Sequence, residues 1–160
     1  IKTTNGIFNM DGPVWVTGNI ETQTGPTIKV DASMGSANVA FIADNPSDSE
    51  NSGKIVIEQQ TVFQGSGSPN SFVFMISQNN SAENGGSVPA IELSQGADAV
   101  VAYASHGLIT LGQSVAIKEA TGWKIALSQS ANVTYDTGLP NVLFSAGPGG
   151  GYDPVDWTEI

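Results

Sequence analysis

The sequence predicts an all-β fold, and three observations support this prediction. Apolar residues occur in short runs with a period near two, the runs are rich in β-branched and aromatic residues, and Gly, Asn, Ser or Pro bound them. A length of 160 residues with 39% hydrophobic residues suits one domain, which we expect to cover residues 1–160. The 19 glycines indicate a chain with many turns.

Eleven runs are predicted as strands. They cover residues 14–16, 28–30, 39–42, 55–57, 72–76, 91–93, 100–103, 108–111, 115–117, 125–127 and 133–135. The window Val115–Leu127 is the one segment with a helical alternative. Gly122 interrupts it, and Trp123, Ile125 and Leu127 alternate, so this window is predicted as strand too.

The arrangement of these strands favours a solenoid. Residues 39–42 and 72–76 are apolar without alternation, which indicates burial on both faces and differs from the strict alternation of a sandwich. A degenerate phrase recurs at residues 15–20, 91–96 and 127–133, as in stacked repeats. The sequence therefore predicts a right-handed parallel β-helix, with a β-sandwich as the alternative. We expect the aromatic N-terminal stretch at Ile7 and Phe8 and the C-terminal tail to cap its ends.

Three polar stretches are predicted as loops on one face of this solenoid. They cover residues 44–51, 64–70 and 78–87. Loops on a rigid scaffold commonly carry binding functions, so we expect these segments to be presented to a partner.

Charge and cysteine content exclude several classes of function. The chain has five lysines, no arginine and fifteen carboxylates, giving a net charge of −10. Nucleic-acid and membrane-surface binding need clustered cations, so neither is expected. The absence of cysteine excludes disulfides, thiolate nucleophiles and cysteine-ligated zinc. Because the chain begins at Ile1, we expect it to be the exported part of a longer protein, with a signal or anchor preceding it.

One acidic loop is the candidate metal site. Asp44, Asp48 and Glu50 fall within seven residues, and calcium takes six to eight oxygen ligands. The spacing does not fit the EF-hand register, and a solvated acidic loop is the favoured interpretation. The only histidine, His106, is predicted as a polar turn residue. No catalytic residue and no cofactor other than calcium are predicted.

Two further groups leave a carbohydrate-active alternative open. Glu58 and Glu92 lie in or beside strands, where two carboxylates could act on a glycosidic bond. Aromatic side chains could stack on sugar rings, although filling of the core is the favoured interpretation for them. They are Trp15, Trp123, Trp157, Tyr103, Tyr135 and Tyr152.

Both ends of the sequence carry a family resemblance. The segments that carry it are residues 12–20, 102–111, 131–141, 144–152 and 155–160, including Gly147-Pro148-Gly149 and Trp157. They resemble the C-terminal β-helix domain of PilX-like, type IV pilus-associated, pilin-like surface proteins of bacteria. The resemblance implies a β-helix, an N-terminal hydrophobic helix ahead of Ile1 and an extracellular or cell-surface location. It carries over no functional residue.

These observations together lead to an expected function. We expect a non-catalytic structural or adhesive module whose partners are other surface or pilus subunits, or an extracellular glycan or protein. The alternative is a carbohydrate-active β-helix protein that binds or cleaves polysaccharide, with calcium as its candidate cofactor.

Overall fold

The structure, a computed structural model, describes residues 2–3, 5–94 and 101–134. These residues form fourteen strands and one short 3-10 helix. The strands are β1 Lys2–Thr3, β2 Gly6–Met10, β3 Val14–Thr17, β4 Ile20–Thr22, β5 Pro26–Val30, β6 Val39–Asp44, β7 Ile55–Ile57, β8 Val62–Gln64, β9 Val73–Ser77, β10 Pro89–Leu93, β11 Val101–Leu111, β12 Ala116–Ile117, β13 Glu119–Leu127 and β14 Asn132–Val133. The 3-10 helix covers Ala32–Met34, and the side chain of Asp31 caps its start by accepting the backbone N–H of Ser33.

Every strand pairing within the described residues is parallel. From β1 to β10, each strand pairs with the strand three places later in the chain: β1–β4–β7–β10, β2–β5–β8 and β3–β6–β9. Parallel neighbours need a crossover between them, and here two intervening strands provide it. The all-β prediction is confirmed.

The long strand β11 joins two of these series. Its first residues, Val101–Tyr103, pair with β9, and its last residues, Leu108–Leu111, pair with β10. Strand β13 pairs with both parts of β11, with a shift in register between Ala104 and Leu108. The result is one nine-stranded sheet beside a three-stranded sheet of β2, β5 and β8 and a two-stranded sheet of β12 and β14.

Rows of identical or similar side chains fill the interior. One row consists of five isoleucines in register: Ile20, Ile55, Ile91, Ile109 and Ile125. The first four are at most 1% exposed, whereas Ile125 is 44% exposed. A second row, Ile57–Leu93–Leu111–Leu127, likewise ends in an exposed residue. These branched side chains, stacked about one strand spacing apart, account for much of the core.

In another row of the core, the side chains become smaller along the chain. Phe41 pairs in register with Met75, Met75 with Ala102, and Ala102 with Ala120. Phe8 stacks on Phe41 with ring centroids 6.0 Å apart. The large side chains therefore meet near the first strands, and the small ones lie toward the last.

The predicted strands agree well with the observed ones. All eleven runs overlap observed strands, namely β3, β5, β6, β7, β9, β10, β11, β12, β13 and β14, because the runs at 100–103 and 108–111 both belong to β11. Val100 and Tyr135 lie outside the described residues. The window Val115–Leu127 forms β12 and β13, as predicted. The short or polar strands β1, β2, β4 and β8 were not predicted.

The predicted caps have different outcomes. Ile7 is 71% exposed, so it does not close the first end of the core, while its neighbour Phe8 packs against the core. The predicted C-terminal cap lies outside the described residues. Within the described ranges, no helix is long and apolar enough to cross a membrane.

Candidate functional site

The candidate site is a surface formed where adjacent strands end. We call it the corner surface and define it as residues 45–54, residues 78–88, Asn19 and His106. Residues 45–54 follow β6 and residues 78–88 follow β9, and these two strands are hydrogen-bonded neighbours with the same direction. Their carboxyl ends therefore meet at one edge of the sheet, where β3 also ends next to Asn19.

Asn79 connects the two loops of the corner surface. Its side chain is fully buried, and its Nδ2 donates to the carbonyl oxygens of Glu50 at 3.1 Å and Ser52 at 2.9 Å. Its Oδ1 accepts the backbone N–H of Ser81 at 3.1 Å. One amide side chain thus forms hydrogen bonds with three backbone groups and fixes the loops relative to each other.

Asn19, which follows β3, holds the first of these loops in a similar way. Its Oδ1 accepts the backbone N–H of Lys54 at 3.1 Å and the hydroxyl of Ser52 at 3.2 Å. The buried hydroxyl of Ser77 donates to the carbonyl oxygen of Gly53 at 2.6 Å. Gly53 has φ of 72°, a conformation that favours glycine, and the loop can turn tightly beneath Asn79 for that reason.

Exposed charged side chains complete the corner surface. Oε2 of Glu83 lies 2.8 Å from Nδ1 of His106, and the backbone N–H of Glu83 donates to the carbonyl oxygen of His106 at 3.2 Å. Oε1 of Glu50 accepts a hydrogen bond from Nδ2 of Asn84 at 3.0 Å. These contacts join the second loop to β11 on one side and to the first loop on the other. His106, predicted as a turn residue, lies in β11 where the register shifts.

The predicted calcium ligands do not converge. Asp44 ends β6, Asp48 accepts a hydrogen bond from Nδ2 of Asn51 at 2.7 Å, and Glu50 is bonded to Asn84. In the part of the chain that the structure describes, no three His, Cys, Asp or Glu side chains are grouped to hold a metal ion. Calcium binding at Asp44, Asp48 and Glu50 stays a prediction.

The prediction that three loops share one face requires correction. Residues 64–70 precede β9, whereas residues 78–87 follow it, so the two loops lie at opposite ends of this strand. Residues 64–70 bond instead to the turn before β6: the hydroxyl of Ser66 donates to Gly35, and the hydroxyl of Ser71, just after the loop, donates to Ala37 at 3.0 Å. Only 44–51 and 78–87 belong to the corner surface.

The carboxylates proposed for glycan chemistry are divided between two grooves. Glu58 lines one groove with Glu21 and Lys2, while Glu92 lines another beside Gln59. Nζ of Lys2 lies 2.7 Å from Oε2 of Glu21, and this hydrogen bond lowers the pKa of Glu21 and raises the pKa of Lys2. A carboxylate held in its charged form suits a surface ion pair and not a general acid.

The expectation that the aromatic side chains fill the core is wrong for three of them. Trp15 is 56% exposed, Tyr103 41% and Trp123 54%. Tyr103 lies between the buried Ala102 and Ala104, and Trp15 between the half-buried Val14 and Val16, so both point away from the core. Tyr135, Tyr152 and Trp157 lie outside the described residues.

The residues that organise the corner surface were missed in the sequence. Asn19 and Asn79 are two of many asparagines in polar stretches, and nothing local distinguishes them. The usable signal is the position that the two asparagines share. Each follows closely after a predicted strand, and the two strands end at the same edge of the sheet.

Comparisons of the chain with protein-family models, with curated proteins and with solved structures give no match.

Proposed function

We propose that the chain is a right-handed parallel β-helix that serves as a non-catalytic structural or adhesive module. The three-strand interval of the pairings supports this architecture, because one turn of such a helix contributes one strand to each of three series. The interior rows support it as well, since stacked turns place equivalent residues above one another. A β-sandwich is less well supported because its strands pair antiparallel.

The observation that best supports an adhesive function is the fixed geometry of the corner surface. Asn79 and Asn19 hold its loops through part-buried hydrogen bonds, while Asp48, Glu50 and Glu83 remain exposed. A surface whose loops are already ordered loses little conformational entropy when a partner binds. The proposed role is therefore to present this surface to an extracellular partner, such as another surface or pilus subunit.

The enzymatic alternative receives less support. Retaining and inverting glycosidases need two carboxylates facing one bond, with one of them able to donate a proton. Glu58 and Glu92 line different grooves, and Glu21 is engaged by Lys2. The proposal accordingly assigns these carboxylates to the solvated outer surface.

Two measurements on the encoding organism test the proposal. Antibodies against the chain should label intact cells or their filaments, and beads coated with the protein should attach to these cells. Asp48→Lys, in the corner surface, should reduce attachment several-fold. Glu58→Lys makes the same charge change at an exposed position on another corner and should leave attachment unchanged.

Each measurement has an outcome that contradicts the proposal. Labelling only after the cells are permeabilised would contradict a surface location. Equal attachment of beads carrying Asp48→Lys, Glu58→Lys or the unchanged chain would show that the corner surface is not the adhesive part.

A further inference from the structure

One outward row of side chains is apolar, although it faces away from the core. Strands β3, β6, β9 and β11 place Trp15, Ile42, Ile76 and Tyr103 in register. We call these four residues the outer apolar row. Trp15 and Tyr103 are exposed and the two isoleucines are half-buried. The alternate residues of β6, β9 and β11 next to them are buried, and those of β3, Val14 and Val16, are half-buried against the main core.

A second apolar row lies directly beside it. Ala40, Phe74 and Val101 are in register on the same side of the sheet and form a small buried cluster separate from the main core. Ile42 and Ile76 pack against this cluster. The outer apolar row is thus supported from the side and forms the accessible border of a continuous apolar area.

The outward rows of the other strands are more polar. Along β1, β4, β7, β10 and β11 the row is Lys2, Glu21, Val56, Glu92 and Thr110, with one apolar member. Along β2, β5 and β8 one outward row is Asn9, Lys29 and Gln64, and the other is Ile7, Thr27 and Val62. Two exposed aromatic side chains in one row, supported by a second apolar row beside it, are typical of a surface that binds a partner.

The composition of the row fits a protein partner. Four adjacent strands at a spacing of about 4.8 Å separate Trp15 from Tyr103 by about 14 Å, the length of a short peptide segment. Trp and Tyr are the side chains that most often dominate binding energy in protein interfaces. The two isoleucines between them provide an apolar centre without hydrogen-bonding groups, which favours apolar side chains over the hydroxyl groups of a sugar.

Charge indicates which protein segment fits. Two acidic residues border the apolar area. Asp44 is in register with Thr17 and lies on the outward side, two residues beyond Ile42. Glu119 is in register with Val101 of the second apolar row. The chain as a whole carries −10, so a second copy would be repelled. A partner with an apolar centre and flanking lysines or arginines complements both features.

We propose that the outer apolar row is a docking surface for an apolar segment of another protein flanked by basic residues. This surface is distinct from the corner surface, since it uses the outer side of β3, β6, β9 and β11 and not the loops that follow β6 and β9. The proposal depends on the exposed Trp15 and Tyr103 and does not require the adhesive function.

Fluorescence anisotropy with two synthetic amphipathic peptides tests the proposal. One peptide consists of leucine and lysine, and the other has the same pattern of leucine and glutamate. The leucine–lysine peptide should bind, and the leucine–glutamate peptide should bind at least about tenfold more weakly. Trp15→Ala and Tyr103→Ala should each weaken binding of the first peptide by about tenfold or more, as loss of an interface hot spot does.

Ile7→Ala is the matched control. Ile7 is 71% exposed and lies in β2, which pairs with β5 and is not part of the outer apolar row. Truncating it therefore removes exposed apolar surface outside the row. It should leave the affinity within about twofold, the range of a near-neutral contact. Circular dichroism and the unfolding midpoint establish that each variant folds.

Several results would overturn the proposal. If the wild type, Trp15→Ala and Tyr103→Ala bind the leucine–lysine peptide equally, net charge alone attracts the peptide and the row is not its docking surface. A dimer in sedimentation that Trp15→Ala dissociates would assign the row to a second copy. Binding of a soluble oligosaccharide that requires Trp15, without peptide binding, would make the row a glycan platform.

Discussion

Replacing Asn79 with alanine should loosen the corner surface and destabilise the fold. The change removes three hydrogen bonds, from Nδ2 to the carbonyl oxygens of Glu50 and Ser52 and from the backbone N–H of Ser81 to Oδ1. Each such bond contributes about 1 kcal/mol net, and more where its partner stays buried without a replacement. Because Asn79 is fully buried, we expect Asn79→Ala to lower the free energy of unfolding by about 3 kcal/mol.

Urea denaturation followed by tryptophan fluorescence measures this loss, and hydrogen exchange of residues 45–54 shows where it acts. Asn51→Ala is the control, since Asn51 is an exposed asparagine of the same loop whose side chain bonds to the exposed Asp48. It should cost no more than about 0.5 kcal/mol. If the two variants unfold at the same urea concentration, the buried bonds of Asn79 do not hold the corner together and the reasoning fails.

Three further substitutions test other parts of the structure. Gly107→Ala should destabilise by about 1–3 kcal/mol in thermal unfolding, because the added Cβ would overlap the side chain of Ala90, whereas Gly12→Ala has open space and should be neutral. Thr22→Val should cost about 1–2 kcal/mol in urea, because the buried Oγ1 accepts the backbone N–H of Glu58 at 3.0 Å. Lys2→Met should raise the pKa of Glu21 towards its ordinary value in an NMR titration. Because the pKa of Glu21 is lower in the folded state than in the unfolded state, the ion pair stabilises the fold at pH values above the unfolded-state pKa. This contribution is lost as the pH falls through the folded-state pKa. An unchanged titration in Lys2→Met would show that the ion pair does not form.

The sequence was informative where burial forces alternation. Ile55-Val56-Ile57 and Ile91-Glu92-Leu93 show a period of two because one side chain in two lies in the core, and both were predicted as strands. Strand β8, Val62–Gln64, was missed because it is short and half-polar. Pairing to β5 holds it in place, and a pairing partner is not visible in a local pattern.

The recurring phrases had a physical basis that the sequence only partly showed. Gln60, Ser114 and Ser130 each adopt positive φ in the turn after an interior-row strand. The phrase Leu127-Ser128-Gln129-Ser130 contains one of these turns, and it follows the end of β13, which pairs in register with β11. Nothing in the residue types revealed the backbone conformation, because glutamine and serine ordinarily avoid the left-handed region.

The placement of the loops could not be predicted from the sequence. Whether two loops meet depends on how many strands lie between them, and a miscount of one moves a loop to the other end of a strand. Missing β8 left no way to see that residues 64–70 and 78–87 flank β9 on opposite sides. The exposure of Trp15 and Tyr103 was missed for a related reason, since the apolar neighbours in each run hide which residue faces outward.

The two proposed surfaces can be separated because the same strands present them in different directions. Strands β6 and β9 carry the corner surface at their carboxyl ends and the outer apolar row on their outer side. Asp48 lies in the loop after β6 and Trp15 lies on the outer side of β3, so their effects should be additive. Asp48→Lys should therefore reduce cell attachment and leave peptide binding intact, and Trp15→Ala should do the reverse. Loss of both properties in either variant would mean that one extended surface, spanning the strand ends and the outer face, binds a single partner.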